Sequence, residues 1–415
     1  MYVETLALAN LRTFVRNELE FVHPDKAYRP RHPKTEAEEK LLPKPRLPNV
    51  NLLLGDNGSG KSTILRAIAQ AALGPAARDA SLGDNAQIRW GEQKAIVDAG
   101  LLLHAQDQAA GRMLKSRTVF TREGELELGE FTEPDKDAWK LVYSSKNDAF
   151  FVVGYGATRR VERAENVDVG ARTKKSFARA QRVQSLFEDF FSLIPLSYWL
   201  PREKTHNPGR YKQVVTLLNR LLKPGNYVFT EEQNDGGDYL FSRGGMPIPF
   251  QHLSDGYRAF IGWVADLLYH VCFGAPSGKM LIDGCGIVMV DEIDLHLHPK
   301  WQMQVIGTVA KALPKMQFIF TSHSPLVAGS LEWMNIITLK AGEKSNRTTV
   351  KRLEESIHGL DADQLLVSGL FGLKTTRSRA KSSELNRLTL LARDGNEQAA
   401  KALVESLARG MEETR

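Results

Sequence analysis

The stretch Gly55-Asp56-Asn57-Gly58-Ser59-Gly60-Lys61-Ser62-Thr63 constrains this chain more than any other feature. It matches the pattern G-x-x-x-x-G-K-[ST], follows a short apolar run over 49–54, and leads into the helical run Ser62–Leu73. Strand, glycine loop and helix in that order form a phosphate-binding P-loop. The glycines let the backbone wrap tightly and turn its N–H groups toward phosphate. The helix start adds the positive end of its dipole. Lys61 is expected to reach the β- and γ-phosphates, and the Ser62 hydroxyl to ligate Mg²⁺. Gly55, Asn57, Gly58, Gly60 and Thr63 complete the expected cradle, so ATP and Mg²⁺ are the expected ligands.

A second feature explains itself best beside the first. Gly286–Val290 is an apolar run ending in Asp291 and Glu292. Unpaired carboxylates at the end of a buried strand are costly. A metal ion and an attacking water supply the reason for them. Asp291 is expected to hold Mg²⁺ or its waters, and Glu292 to act as general base. The following His296-Leu297-His298 reads as a metal pair or as a loop entering a helix near Pro299, and the second reading is favoured because no further ligands stand nearby.

The stretch Leu253-Ser254-Asp255-Gly256-Tyr257-Arg258 lies where a hairpin, Tyr239–Phe250 turning at Gly244–Gly245, hands over to a long helix from Tyr257 to about Cys272. Ser254 suits a helix N-cap. It also suits phosphate binding, together with the N–H groups around Gly256. Since the P-loop already serves one phosphate, a second helix start aimed at it is most easily supplied by another subunit. A last apolar run, Phe318–Phe320, leads to Thr321-Ser322-His323.

P-loop, LSDGYR, VMVDEID, and a strand ending in His, in this order, resemble the ATPase heads of the ABC class. The resemblance implies that His323 contacts the γ-phosphate, that Asp294 communicates across a dimer, and that two heads close head to tail on ATP. The opening Leu6–Phe14, with Asn10-Leu11-Arg12, is similar to the start of the SMC, RecF and OLD branch, which implies that Arg12 approaches the phosphates. LSDGY in place of LSGGQ, and the long separation between P-loop and acidic pair, argue against a transporter motor. Gly154–Arg159, Arg182–Phe187 and the stretch from Asp291 to Gln302 resemble stand-alone bacterial ATPases of anti-phage systems such as Septu, certain retrons and PARIS. The implied fold is α/β: a P-loop NTPase ABC-type head with N-terminal antiparallel β-strands, a helical lobe and a helical C-terminal extension. Residues 1–165 and 250–345 are expected to form the head, 166–249 the lobe with the signature hairpin, and 346–415 the extension. The implied function is an ATP-driven dimeric switch that senses or clamps nucleic acid and controls a separate nuclease or other effector. A RecF-like repair ATPase, a transporter motor and a nucleotide-held scaffold are the alternatives.

The remaining sequence sets bounds. At 415 residues, with 42% apolar and 25% charged residues, the chain can bury a large core. Its net charge of +6 fits either a solvated surface or a basic face for double-stranded DNA. Cys272 and Cys285 are too few for a disulfide framework, and with no secretory start or membrane span a cytoplasmic location is expected. Residues 2–22 read as two strands around a turn at Leu11–Thr13, and 23–48, with six prolines, as a loop. Residues 176–222 read as helical, with one apolar face at Leu186, Phe187, Phe190, Phe191, Leu193 and Ile194 and another at Val214–Leu222. No Toprim-like cluster follows His323, which places any nuclease on a partner. The basic residues Lys374, Arg377, Arg379, Lys381 and Arg387 read as a solvated helix face or as a contact for nucleic acid or an acidic partner. Gly154–Arg159 reads as a strand-ending glycine turn or as a nucleotide-linked strand end.

Overall fold

The apolar runs become strands of two sheets that sandwich the P-loop helix. The computed structural model describes residues 1–30, 32–74, 76–77, 80, 82, 87–104, 111–122, 126–128, 139–140, 142, 151–161, 178–274, 278–342, 346–355, 357, 359–368, 370–371, 373, 375 and 378–412. In chain order the strands are β1 (Tyr2–Leu11), β2 (Phe14–Glu20), β3 (Val50–Gly55), β4 (Lys94–Leu102), β5 (Met113–Thr121), β6 (Leu126–Leu128), β7 (Val152–Tyr155) and β8 (Arg160–Val161). They continue as β9 (Ser192–Leu193), β10 (Val228–Gln233), β11 (Tyr239–Arg243), β12 (Met246–Pro249), β13 (Gly286–Val290), β14 (Met316–Ser322), β15 (Ile336–Ala341) and β16 (Thr348–Arg352).

The central sheet runs β16-β15-β3-β14-β13-β7. Its strands are parallel except for β16, which pairs antiparallel with β15 at the edge. Every residue of β13 and β14 is buried, as expected of strands covered on both faces. The second sheet, β2-β1-β4-β5-β6, is antiparallel, and its inward positions Leu6, Leu8, Val97, Leu101 and Leu114 join the core. Between the sheets lies the helix Lys61–Leu73, on which only Ser62 and Arg66 keep partial exposure.

Two buried amides lock the layers. The Gln317 side chain on β14 accepts from Val3 N at 2.8 Å and donates to Val3 O at 2.7 Å. Asn51 on β3 does the same to Val22, at 2.8 Å in both directions. Such paired buried bonds contribute about 1 kcal/mol apiece, and losing one side of the pair costs more.

A helical region follows β9: Leu196–His206, then Pro208–Leu222, whose Val214, Leu217, Leu218, Leu221 and Leu222 are buried as the periodicity predicts. The segment 186–194 is not the predicted helix. It is a 3₁₀ turn at Gln184–Leu186, a turn, and strand β9, with Phe190 87% exposed while Leu186, Leu193 and Ile194 are buried. The apolar spacing there meets two different surfaces instead of one helical stripe. The hairpin β11–β12 turns at Gly244–Gly245, pairing Arg243 with Met246, and the helix Asp255–Gly274 follows.

Residues Met1–Gly359 form one compact unit and Leu360–Arg415 a second. The second contains the paired helices Arg379–Arg393 and Glu397–Glu412. There Lys381 Nζ bonds Glu384 at 3.0 Å and Ser406 Oγ at 2.7 Å, and Arg387 is exposed. Lys374, Arg377 and the side chain of Arg379 lie outside the described residues. Among the described residues no helix is long and apolar enough to cross a membrane.

Candidate nucleotide site

Parallel pairing brings the sequence motifs together. Leu54 on β3 is level with Ser322 on β14, Phe320 with Val290 on β13, and Val290 with Tyr155 on β7. The P-loop, the acidic pair, His323 and the Gly156–Arg159 turn therefore all leave the carboxyl edge of one sheet, where α/β proteins bind ligands.

The P-loop keeps Asp56, Asn57 and Gly58 exposed, while Ser59 is buried. Gly58 and Gly60 have φ of +76° and +96°. Gly60 is the N-cap of the Lys61–Leu73 helix, and no side chain among the described residues caps that helix start, nor does its first turn hold an acid. Its first N–H groups are thus free for an anion. The Lys61 ammonium is buried, donating to Gly55 O at 2.8 Å and Asp56 O at 2.9 Å. Burial lowers its pKa, opposed by Asp291 and Glu292.

The acidic turn is held by one hydroxyl. Thr321 Oγ1 donates to Asp291 Oδ1 at 2.5 Å and accepts from Glu292 N at 2.7 Å. Asp291 N donates to Tyr155 O at 2.8 Å, and Ile293 N to Thr321 O at 3.0 Å. Glu292 has φ +48°, a left-handed conformation rare for a residue with a Cβ. Its carbonyl accepts from Arg159 Nη2 at 2.5 Å. His323 stands between the halves: Nδ1 is 3.4 Å from Lys61 Nζ, and Nε2 is 3.9 Å from Glu292 Oε1. Because an ammonium only donates, a hydrogen bond across the 3.4 Å contact runs from Lys61 Nζ to Nδ1, which leaves Nε2 as the ring nitrogen on the Glu292 side.

Arg12, with φ +47°, tops the β1–β2 turn, and Arg89 donates to its carbonyl at 3.1 Å. That turn abuts the P-loop. Thr348 Oγ1 bridges Thr13 Oγ1 at 2.9 Å and Ser59 O at 3.0 Å, and the buried Phe14 ring lies against Gly60. A Cβ on Gly60 would lie 2.5 Å from that ring. Gly60→Ala is therefore expected to lower stability by about 2–5 kcal/mol, from backbone strain and overpacking together. A urea unfolding midpoint measured against the wild type checks this.

Ser254 is exposed ahead of the Asp255–Gly274 helix. Gly256 is buried, and a Cβ there would meet His296 O at 2.1 Å. The helix start thus rests on the turn that follows the acidic pair. Asp294 Oδ1 in that turn is buried and has no hydrogen-bond partner among the described residues. His298 caps the short helix Pro299–Gln302, accepting from Lys300 N at 3.4 Å. Among the described residues no cluster of three His, Cys, Asp or Glu side chains has the arrangement of a metal site. Ser62 and Asp291 are hard oxygen donors, the set that suits Mg²⁺ when phosphates and water complete its shell.

The motif reading placed Arg159 in a candidate strand-end turn and Thr321 before His323 but gave neither a role, and it missed Thr348 altogether.

The chain is similar to several known proteins. Residues 50–329 match the family model described as "AAA domain, putative AbiEii toxin, Type IV TA system". Septu protein PtuA of Bacillus mycoides (strain KBAB4) is 26% identical over 329 residues, 78% of this chain and 41% of that protein. The retron Vc95 probable ATPase of Vibrio cholerae serotype O1 biovar El Tor is 25% identical over 353 residues, 67% of this chain and 66% of that protein. The chain thus spans less than two thirds of these relatives' lengths. An Smc head solved with the C-winged helix domain of ScpA shares the fold, with a TM-score of 0.50 at 13% identity over 85% of this chain and 98% of that one. With an ABC-type P-loop head carrying the motifs in order and the family model spanning most of its length, this chain belongs to the AAA domain, putative AbiEii toxin family.

Proposed function

We propose that this chain is an ATP-hydrolysing switch whose site is completed by a second copy, head to tail, and which controls a separate nuclease or other effector in anti-phage defence. The observation that carries the reading is the convergence of Lys61, Asp291, Glu292, Thr321 and His323 on one uncapped helix start. In this reading Lys61 leaves its P-loop carbonyls for the β- and γ-phosphates. Ser62 and Asp291 hold Mg²⁺, which when bound neutralises phosphate charge. Glu292 takes a proton from the attacking water, and the Nε2 proton of His323 donates to the γ-phosphate. Arg12, on the turn packed against the P-loop, adds positive charge. The head is the two halves 1–165 and 250–345, with 166–249 as the lobe.

The second copy would supply Ser254 and the N–H groups around Gly256. Two features support this: the exposure of Ser254, and the Asp294 oxygen in the adjoining turn, which is buried and has no hydrogen-bond partner among the described residues. The relatives' names, Septu PtuA and a retron's probable ATPase, support the defence setting and a separate effector. Double-stranded DNA is the proposed trigger.

The test is gel filtration and ATP turnover of the wild type and Gly256→Ala, with and without double-stranded DNA. The wild type is expected to dimerise with ATP and turn over faster with DNA. Gly256→Ala is expected to bind ATP as a monomer and lose roughly 100-fold in turnover, because its methyl displaces the helix start. A wild type that hydrolyses ATP while monomeric at every protein concentration would remove the composite site. Turnover indifferent to DNA would assign the trigger to a protein.

A further inference from the structure

Arg159 follows β7 in a turn with φ +34° and is 5% exposed. Its Nη2 donates to the Glu292 carbonyl, 133 residues away in sequence, at 2.5 Å. A buried cation is costly unless paired and hydrogen-bonded. Here Asp291, Asp294 and Glu292 oppose the burial, which pushes the guanidinium down to about 10, so it remains charged at neutral pH.

What it holds is an unusual peptide. The left-handed Glu292 costs about 1–3 kcal/mol and persists only where surrounding contacts hold it. One contact is Thr321 Oγ1 on the Glu292 N–H, at 2.7 Å. The other is Arg159 on its C=O. Between them the residue is gripped at both ends, and its carboxylate is left pointing to His323. Arg159 also lines a cleft of ≈ 340 Å³ together with Gln251, Asp255 and Arg258. It therefore touches the acidic turn on one side and faces the Ser254–Arg258 turn on the other.

We infer that Arg159 is a positioning residue, which with Thr321 fixes the backbone of Glu292 so that its carboxylate meets the attacking water. The inference rests on the hydrolytic role proposed above for Glu292. A lysine there would keep the charge but not the rigid planar fork, so Arg159→Lys separates charge from geometry.

The experiment measures kcat and KM for ATP, the affinity for a fluorescent ATP analogue, and the melting temperature. It uses the full chain and the variants Arg159→Lys, Arg159→Ala and Glu292→Gln. Arg159→Lys is expected to lose about 10- to 100-fold in kcat, the effect of a small misplacement, with analogue affinity and melting temperature unchanged. Millimolar methylguanidinium is expected to restore part of the kcat of Arg159→Ala. An unchanged kcat in Arg159→Lys would overturn the inference. So would parallel losses of kcat, affinity and melting temperature without methylguanidinium rescue, which would leave Arg159 a structural cation. Turnover that survives Glu292→Gln would instead remove the hydrolytic reading itself, and the inference with it.

Discussion

Glu292→Gln is expected to lower ATP turnover by about 10²- to 10⁴-fold, the range a general base contributes, while nucleotide still binds. The substitution keeps the size of the side chain and every backbone contact of the residue: its N–H to Thr321 Oγ1 at 2.7 Å and its carbonyl to Arg159 at 2.5 Å. What it removes is the negative oxygen 3.9 Å from His323 Nε2. Lys61, Ser62 and Asp291 are untouched, so ATP affinity is expected to stay within about threefold of wild type, since no binding contact is lost. With the γ-phosphate preserved, the closed pair of heads should persist, and the variant should elute as a dimer with ATP and as a monomer with ADP. Single-turnover hydrolysis and gel filtration on one preparation read both effects. A variant that turns over at the wild-type rate would remove Glu292 from the chemistry. One that stays monomeric with ATP would keep the base and remove the sandwich.

Lys61→Met is expected to act one step earlier and weaken binding itself. In the chain alone, Lys61 Nζ is satisfied by Gly55 O and Asp56 O and lies 3.4 Å from His323 Nδ1. Methionine fills a similar volume without a donor. Two charge-assisted hydrogen bonds to phosphate, each about 1.5–3 kcal/mol, are then missing, which corresponds to roughly 10²- to 10⁴-fold in affinity. The lost cation also leaves Asp291 and Glu292 facing the incoming phosphates with less compensating charge. Titration with a fluorescent ATP analogue measures the loss, and the melting temperature is expected to change little. Affinity within threefold of wild type would mean that the helix start carries the phosphates without the lysine. The two variants therefore fail at different stages: Glu292→Gln binds and closes, while Lys61→Met already binds weakly.

The sequence by itself determined the parts whose logic is local. A glycine loop between an apolar strand and a helix needs only its neighbours in sequence to wrap tightly, and Gly58 and Gly60 take the positive φ that such a wrap uses. The acids after Gly286–Val290 were legible because a fully buried strand has no local use for two carboxylates at its end, whereas the histidine after Phe318–Ser322 was legible only through the order of the motifs. The hairpin at Gly244–Gly245 and the buried face of Pro208–Leu222 were legible as well, since turn chemistry and a helical stripe need only neighbours in sequence.

Only the tertiary structure decided what depends on distant partners. Aromatic and aliphatic residues at 186–194 have helical spacing, yet the segment divides its side chains between two surfaces and leaves Phe190 exposed, which periodicity cannot register. Gln317 and Asn51, polar residues within largely apolar strands, are placed by tertiary structure alone: they bond the backbones of Val3 on β1 and of Val22 just beyond β2. Gly256 owes its identity to the His296 carbonyl, which occupies the space its Cβ would fill. Arg159 belongs to the site because its partner is a backbone carbonyl on another strand end, and no spacing rule encodes a bond to a peptide oxygen 133 residues away.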